Sequence, residues 1–196
     1  PIVKDLQGNG DYNPVSYIRD HVMAHYNTND KSPEAEHLLG RGMFGAVYKH
    51  PKNENAVIKV FQDKGYHEYI NWAKQNQDNP HVPKIYAHKK LNHHGLGVVK
   101  MEKLHPLNVE NNGDAPYIAH ANSYLRHETG QRILDTMDDA EDFGEFLPGT
   151  YFKTIHKLAS TYPHRKFDLH SQNLMKRYET TPNGFSKVHI VITDPF

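Results

Sequence analysis

Gly40-Arg41-Gly42-Met43-Phe44-Gly45-Ala46-Val47, followed by Ala56-Val57-Ile58-Lys59, decides how the first half of this chain folds. Three glycines at this spacing let a strand-turn-strand lie against a bound anion, because no side chain intervenes and backbone N–H groups face it. The same Gly-x-Gly-x-x-Gly spacing occurs in dinucleotide folds, where it links a strand to a helix. Here β-branched and aromatic residues follow and no helical period begins, so a second strand is predicted. A plain glycine hairpin shares the pattern.

Working outward, Leu38-Leu39 leads into the glycines and Ala46-Val47-Tyr48 leads out. Pro51 to Asn55 reads as a turn and Ala56 to Phe61 as an apolar strand. A helix is expected over about Tyr66 to Gln75, ended by Asn79-Pro80. Ile85-Tyr86-Ala87 and Leu96 to Met101 are two further strands, giving a small antiparallel sheet with one helix. Ahead of it, Val15 to Tyr26 has helical spacing and Asn27 to Glu36 reads as a loop. In the second half, Tyr117 to Met137 has a helical period that Gly130 interrupts, and the acidic run Asp138 to Phe146 reads as a surface loop or helix end. Thr150 to Tyr162 is a helix stopped by Pro163. An irregular loop follows, then strands over Leu174 to Tyr178 and Val188 to Thr193, with Asn183-Gly184 between them.

Lys59 lies in an apolar strand, where an unpaired ammonium is costly to bury. One reading gives it the phosphates of a nucleotide and Glu68 as carboxylate partner; the other has it snorkel to water while Lys64 and Glu68 pair on the helix surface. Backbone groups of about Met101 to Lys103, including Glu102, would suit adenine, or form an edge strand. In the second half Asp168-Leu169-His170-Ser171-Gln172-Asn173 is followed by Ile192-Thr193-Asp194. A loop carboxylate such as Asp168 can take the proton of a substrate hydroxyl, while the Asn173 amide oxygen and Asp194 are hard ligands suited to Mg²⁺. Each acid alone also reads as a loop residue or helix cap. Glycines, Lys59, Asp168, Asn173 and Asp194 in this order describe phosphoryl transfer from ATP.

Composition sets limits around that reading. Equal numbers of basic and acidic residues, 23 each, give no general affinity for nucleic acid. The absence of cysteine excludes disulfides and thiolate metal sites and fits a reducing cytoplasm. No stretch is apolar enough to span a bilayer, and no signal-peptide pattern opens the chain. Sixteen histidines are scattered without metal-ligand spacing, so they are expected at the solvated surface. Pro1 implies a removed initiator methionine or a cut from a longer chain.

The chain resembles the protein-kinase-like superfamily and, more narrowly, the early protein kinases of T-seven-like podophages. The resemblance rests on Leu39 to Tyr48 with His50-Pro51, on Val57-Ile58-Lys59-Val60, on Phe167 to Asn173, and on Ile192-Thr193-Asp194-Pro195. It implies an α+β, two-lobed fold: residues 1–36 as an N-terminal helix and linker, 37–102 as a small antiparallel-sheet lobe with one helix, and 103–196 as a short, mostly helical lobe. It implies Ser/Thr phosphorylation of host proteins early in infection, in the host cytoplasm, with RNA polymerase a candidate substrate. ATP and Mg²⁺ are the implied cofactors. Gly40, Gly42, Gly45, Val47, Lys59, Glu68, Met101, Glu102 and Met175 would hold the nucleotide, Asn173 and Asp194 the metal, and Asp168 with Lys59 would catalyse.

Two other functions use the same residues: phosphotransfer to a small molecule of the aminoglycoside class, and nucleotide binding without catalysis by a protein that sequesters a host factor. The chain departs from the family pattern at Lys166-Phe167, where His-Arg is usual before the base. With no arginine there for a phosphorylated loop to pair with, activity independent of such phosphorylation is expected. Val57 stands where alanine usually lines the adenine pocket. The chain stops two residues after Asp194, which implies either a shortened chain or a minimal enzyme that borrows substrate contacts.

Overall fold

The computed structural model describes residues 38–42, 44–50, 52–91, 94–108, 110, 113–137, 147–184 and 186–196. The helix and loop expected over 15–36 and the acidic run of 138–146 lie outside them. The chain is mixed α+β and divides into two compact units, 38–70 with Lys84–Lys103, and Asn71–Pro83 with Leu104–Phe196.

In the first unit β1 (Leu38–Gly42), β2 (Gly45–Lys49), β3 (Ala56–Gln62), β4 (Ile85–Lys90) and β5 (Leu96–Glu102) form one antiparallel sheet in the order β1-β2-β3-β5-β4. Alternation along β3 sends Ile58 and Val60 to one face and Val57, Lys59 and Phe61 to the other. Tyr48 lies opposite Ile58 and Ala46 opposite Val60, and with Leu96 they make a buried cluster. Helix α1 (Lys64–Gln75) supplies Tyr66 and His67 to the other face. Asp63 caps it by accepting the Gly65 N–H at 2.7 Å, which sets its start two residues ahead of the sequence expectation. Phe61 meets Tyr66 edge-on at 4.6 Å, and the Tyr66 hydroxyl donates to the Met101 sulfur at 3.8 Å. A side chain at Gly97 would collide with the His67 and Phe61 rings, so glycine is needed for that close approach.

In the second unit β9 (Leu174–Thr180) and β10 (Ser186–Ile192) form the expected hairpin, with Gly184 at φ +79° in the connection and β6 (His105–Pro106) added along β9. Lys176 on β9 and Asp114 form a buried ion pair at 2.8 Å. The Asp114 carboxylate also accepts the Asn108 N–H, and its bond to Lys176 raises that ammonium above the usual lysine range. Residues Asn71–Pro83 belong with this unit, although the sequence division placed them in the first lobe. Arg177 donates to the carbonyls of Pro80 and Val82, Asn79 donates to Thr154, and His81 Nδ1 donates to the Ile190 carbonyl at 2.7 Å. With Nδ1 committed as donor, neutral His81 accepts the Thr150 hydroxyl proton on Nε2.

Three expectations for this half need correction. The period over Tyr117 to Met137 is not one helix. Helix α2 (Ala115–His120) widens into a π turn (Ala121–Leu125), strand β7 (Arg126–Thr129) intervenes, and α3 (Gly130–Met137) follows. Gly130 starts α3 instead of breaking a helix. It lies against the C-terminus of α4 (Gly149–Thr161), where a Cβ would collide with the Ala159 and Tyr162 carbonyls. The stretch after α4 is not wholly irregular, because β8 (Lys166–Asp168) pairs antiparallel with β7. The unit is therefore less helical than the sequence implied.

Two outcomes follow from this packing. Gly130→Ala overpacks the α3–α4 contact and should cost about 2 kcal/mol in denaturant unfolding, whereas Gly149→Ala, facing open space, should be near neutral. His120 is buried between Tyr124 and Phe152, and desolvation lowers its pKa from 6.5 to about 4. Below pH 6.5 the unfolded chain takes up a proton that the native ring refuses. Stability is therefore lost as pH falls from 6.5 to about 4, by about 3 kcal/mol in total. Urea melts across that range should show the slope, and His120→Phe should flatten it.

Candidate functional site

The first unit gathers part of the predicted nucleotide set on one sheet face. Val47 lies directly opposite Lys59, and Val99 flanks Lys59 on the other side. The Lys59 ammonium sits 3.7 Å over the Tyr66 ring, a cation–π contact that the sequence reading missed. Tyr66 is itself held by Met101, so Lys59 is aimed by a packed residue. Glu68 is exposed on α1, two residues beyond Tyr66.

Of Gly40, Gly42 and Gly45, only Gly45 is required by packing: a Cβ there would lie 2.6 Å from the Val60 carbonyl oxygen. Positions 40 and 42 face open space and need no positive φ. The fold therefore tolerates a side chain at both, and a ligand lying on the hairpin is what would demand glycine.

Met101 and Glu102 are less open than the sequence implied. Met101 is buried under Tyr66, and the Glu102 carboxylate accepts the Lys84 N–H at 2.7 Å. The Glu102 and Lys103 N–H groups already donate to the carbonyls of Lys84 and Asn55. A purine edge arriving there meets neither of those two donors.

The second unit brings together Asp168, Asn173 and Asp194. The Asp168 N–H donates to the Pro195 carbonyl at 2.8 Å, and the Thr193 N–H and hydroxyl both donate to the Asn173 carbonyl at 2.9 Å. Asp194 lies between those two anchors, two residues past the end of β10. The Asn173 side-chain NH₂ donates to the Asp168 carbonyl at 2.8 Å, so its Oδ1 is the end left for a ligand. Met175 follows on β9 opposite Val191, half-buried and outside this group. Among the described residues no group of three or more His, Cys, Asp or Glu is arranged to hold a metal. The Asp194 carboxylate and the Asn173 amide oxygen are donors of the kind a hard cation takes.

Asp168 ends strand β8 instead of lying in a loop. Its Oδ1 is buried without a hydrogen bond, whereas the side chain as a whole is 44% exposed, so Oδ2 is the oxygen open to a hydroxyl. Oδ1 faces Arg126 Nε at 3.9 Å and His127 Nδ1 at 3.8 Å. His170 Nδ1 accepts the Gln172 N–H, and its Nε2 lies 3.3 Å from the Asn173 amide nitrogen and 3.7 Å from Asp168 Oδ2. Phe167, the residue in place of the usual arginine, is fully buried and meets Phe196 edge-on at 5.2 Å. Burying such a ring contributes about 2 to 3 kcal/mol to holding β8.

No protein-family model matches the chain, and no curated protein matches it. No helix among the described residues is long and apolar enough to cross a membrane.

Thr193→Val removes one of the two bonds to the Asn173 carbonyl while keeping the side chain's shape. Chemical unfolding should register a loss of about 1 kcal/mol.

Proposed function

We propose that this protein is an ATP- and Mg²⁺-dependent Ser/Thr protein kinase with a two-lobed, kinase-like fold. By the sequence resemblance, it acts on host proteins of a phage-infected bacterial cytoplasm, RNA polymerase among the candidates. The reading is carried by the backbone bonds that hold Asp168, Asn173 and Asp194 together, with Asn173 turned so that its oxygen is available.

Asp168 Oδ2 accepts the proton of the acceptor hydroxyl as its oxygen attacks the terminal phosphorus in line, and the bond from that phosphorus to the bridging oxygen breaks to release ADP. Arg126, His127 and His170 surround the carboxylate and keep it oriented. Asn173 and Asp194 are the residues that would hold Mg²⁺, which when bound neutralises phosphate charge and orients the transferred group. The glycine hairpin lets the nucleotide approach the backbone, and Lys59 supplies a positive charge to its phosphates. The unencumbered space at Gly40 and Gly42 supports this use.

The test is transfer from γ-labelled ATP to protein substrates. Asp168→Asn should lower the rate by about 10²- to 10⁴-fold, and equal labelling by both forms would overturn the assignment. Gly42→Ala should raise the KM for ATP without shifting the melting temperature, because its Cβ meets no protein atom. Transfer to aminoglycosides and not to proteins would move the reading to a small-molecule phosphotransferase.

A further inference from the structure

The ribbon formed by β7 and β8 has one extra residue on β7: Arg126 lies opposite Asp168 and Thr129 opposite Lys166. That bulge contains His127 at φ +66°, the only non-glycine residue with positive φ among those described. An L-residue disfavours this conformation by about 1 to 2 kcal/mol. In a regular strand Arg126 and His127 would point to opposite faces. The bulge instead brings both to the same oxygen of Asp168, at 3.9 and 3.8 Å. Neither is consumed by that contact. The distances exceed a hydrogen bond, and the side chains are 49% and 69% exposed.

Lys166 is two residues before Asp168 on the same strand, hence on the same face, and it is exposed. Phe167 between them is buried on the other face. A base flanked by Arg126 and His127, with Lys166 about 7 Å further along the strand, lies at one end of a positively charged strip. Glu128 and Asp168 itself are the only acids on the ribbon.

We infer that this strip selects the acceptor: the enzyme prefers Ser or Thr in a protein segment that carries an Asp or Glu two residues away. The inference rests on the kinase reading above. An acceptor hydroxyl must come within hydrogen-bond reach of Asp168 Oδ2. In an extended segment the residue two positions away is then displaced by about 7 Å, the spacing of Lys166 from Asp168. On the side of the acceptor that runs back along β8, an acidic side chain there meets Lys166 and a basic one is repelled.

The experiment uses the intact protein and three sets of serine peptides that differ only in carrying Glu, Ala or Lys two residues to either side of the acceptor. The expected order of kcat/KM is Glu, then Ala, then Lys, with about fivefold or more between the extremes. Lys166→Glu should reverse the order, and Lys166→Ala should compress it; melting curves check that both variants are folded. Equal rates for all peptides from an enzyme that still needs Asp168 would overturn the acidic preference and leave the kinase reading intact. An unchanged order in folded Lys166→Glu would do the same. Failure to modify any peptide or protein, with Asp168→Asn indistinguishable from the parent, would overturn both.

Discussion

Three backbone-directed hydrogen bonds, from the Asp168 N–H to Pro195 and from the Thr193 N–H and hydroxyl to Asn173, hold Asp168, Asn173 and Asp194 together in the second unit. They join segments twenty or more residues apart in sequence, so neither segment places its carboxylate alone. Everything near them serves that junction. The β9–β10 hairpin delivers Thr193 from one side and the turn at Ser171–Asn173 delivers Asn173 from the other. Next in sequence to the two residues of the Asp168–Pro195 bond, the buried Phe167 ring meets the half-buried Phe196 ring edge-on. Because main-chain atoms make most of these bonds, the arrangement is set by the path of the chain more than by any one side chain.

The first unit follows a different constraint, the register of its sheet. Once β2, β3 and β5 pair as they do, Lys59 shares a face with Val47, Val99 and Tyr66. A shift by one residue would exchange that face with the one bearing Tyr48, Ile58 and Val60 and place the lysine in the apolar cluster. The hydrophobic pattern that stabilises the sheet is therefore also what presents the ammonium.

Local pattern made much of this legible. The strands around the glycines, the β3 lysine, α1 and the β9–β10 hairpin all have a clear period, and the structure contains them. Legibility failed where a tertiary contact overrode that period. Residues 117–137 alternate like a helix, but β8 captures Arg126 to Thr129 as a strand, and no sequence window around them records a partner forty residues away. Arg126 and Tyr66 were invisible as site residues for the same reason. Each acquires its role from a neighbour across a sheet or helix face. The partners that the Glu102 carboxylate and the Met101 sulfur find, the Lys84 N–H and the Tyr66 hydroxyl, are likewise not visible in sequence.

The bulge at His127 has a consequence for how far this unit can be stabilised. Glycine adopts its backbone conformation without strain, so the same fold tolerates a more stable residue there. Selecting variants for heat resistance alone would drive position 127 toward glycine and remove an imidazole from beside Asp168. Stability and the placement of this side chain pull against each other at this residue, and the present chain keeps the imidazole.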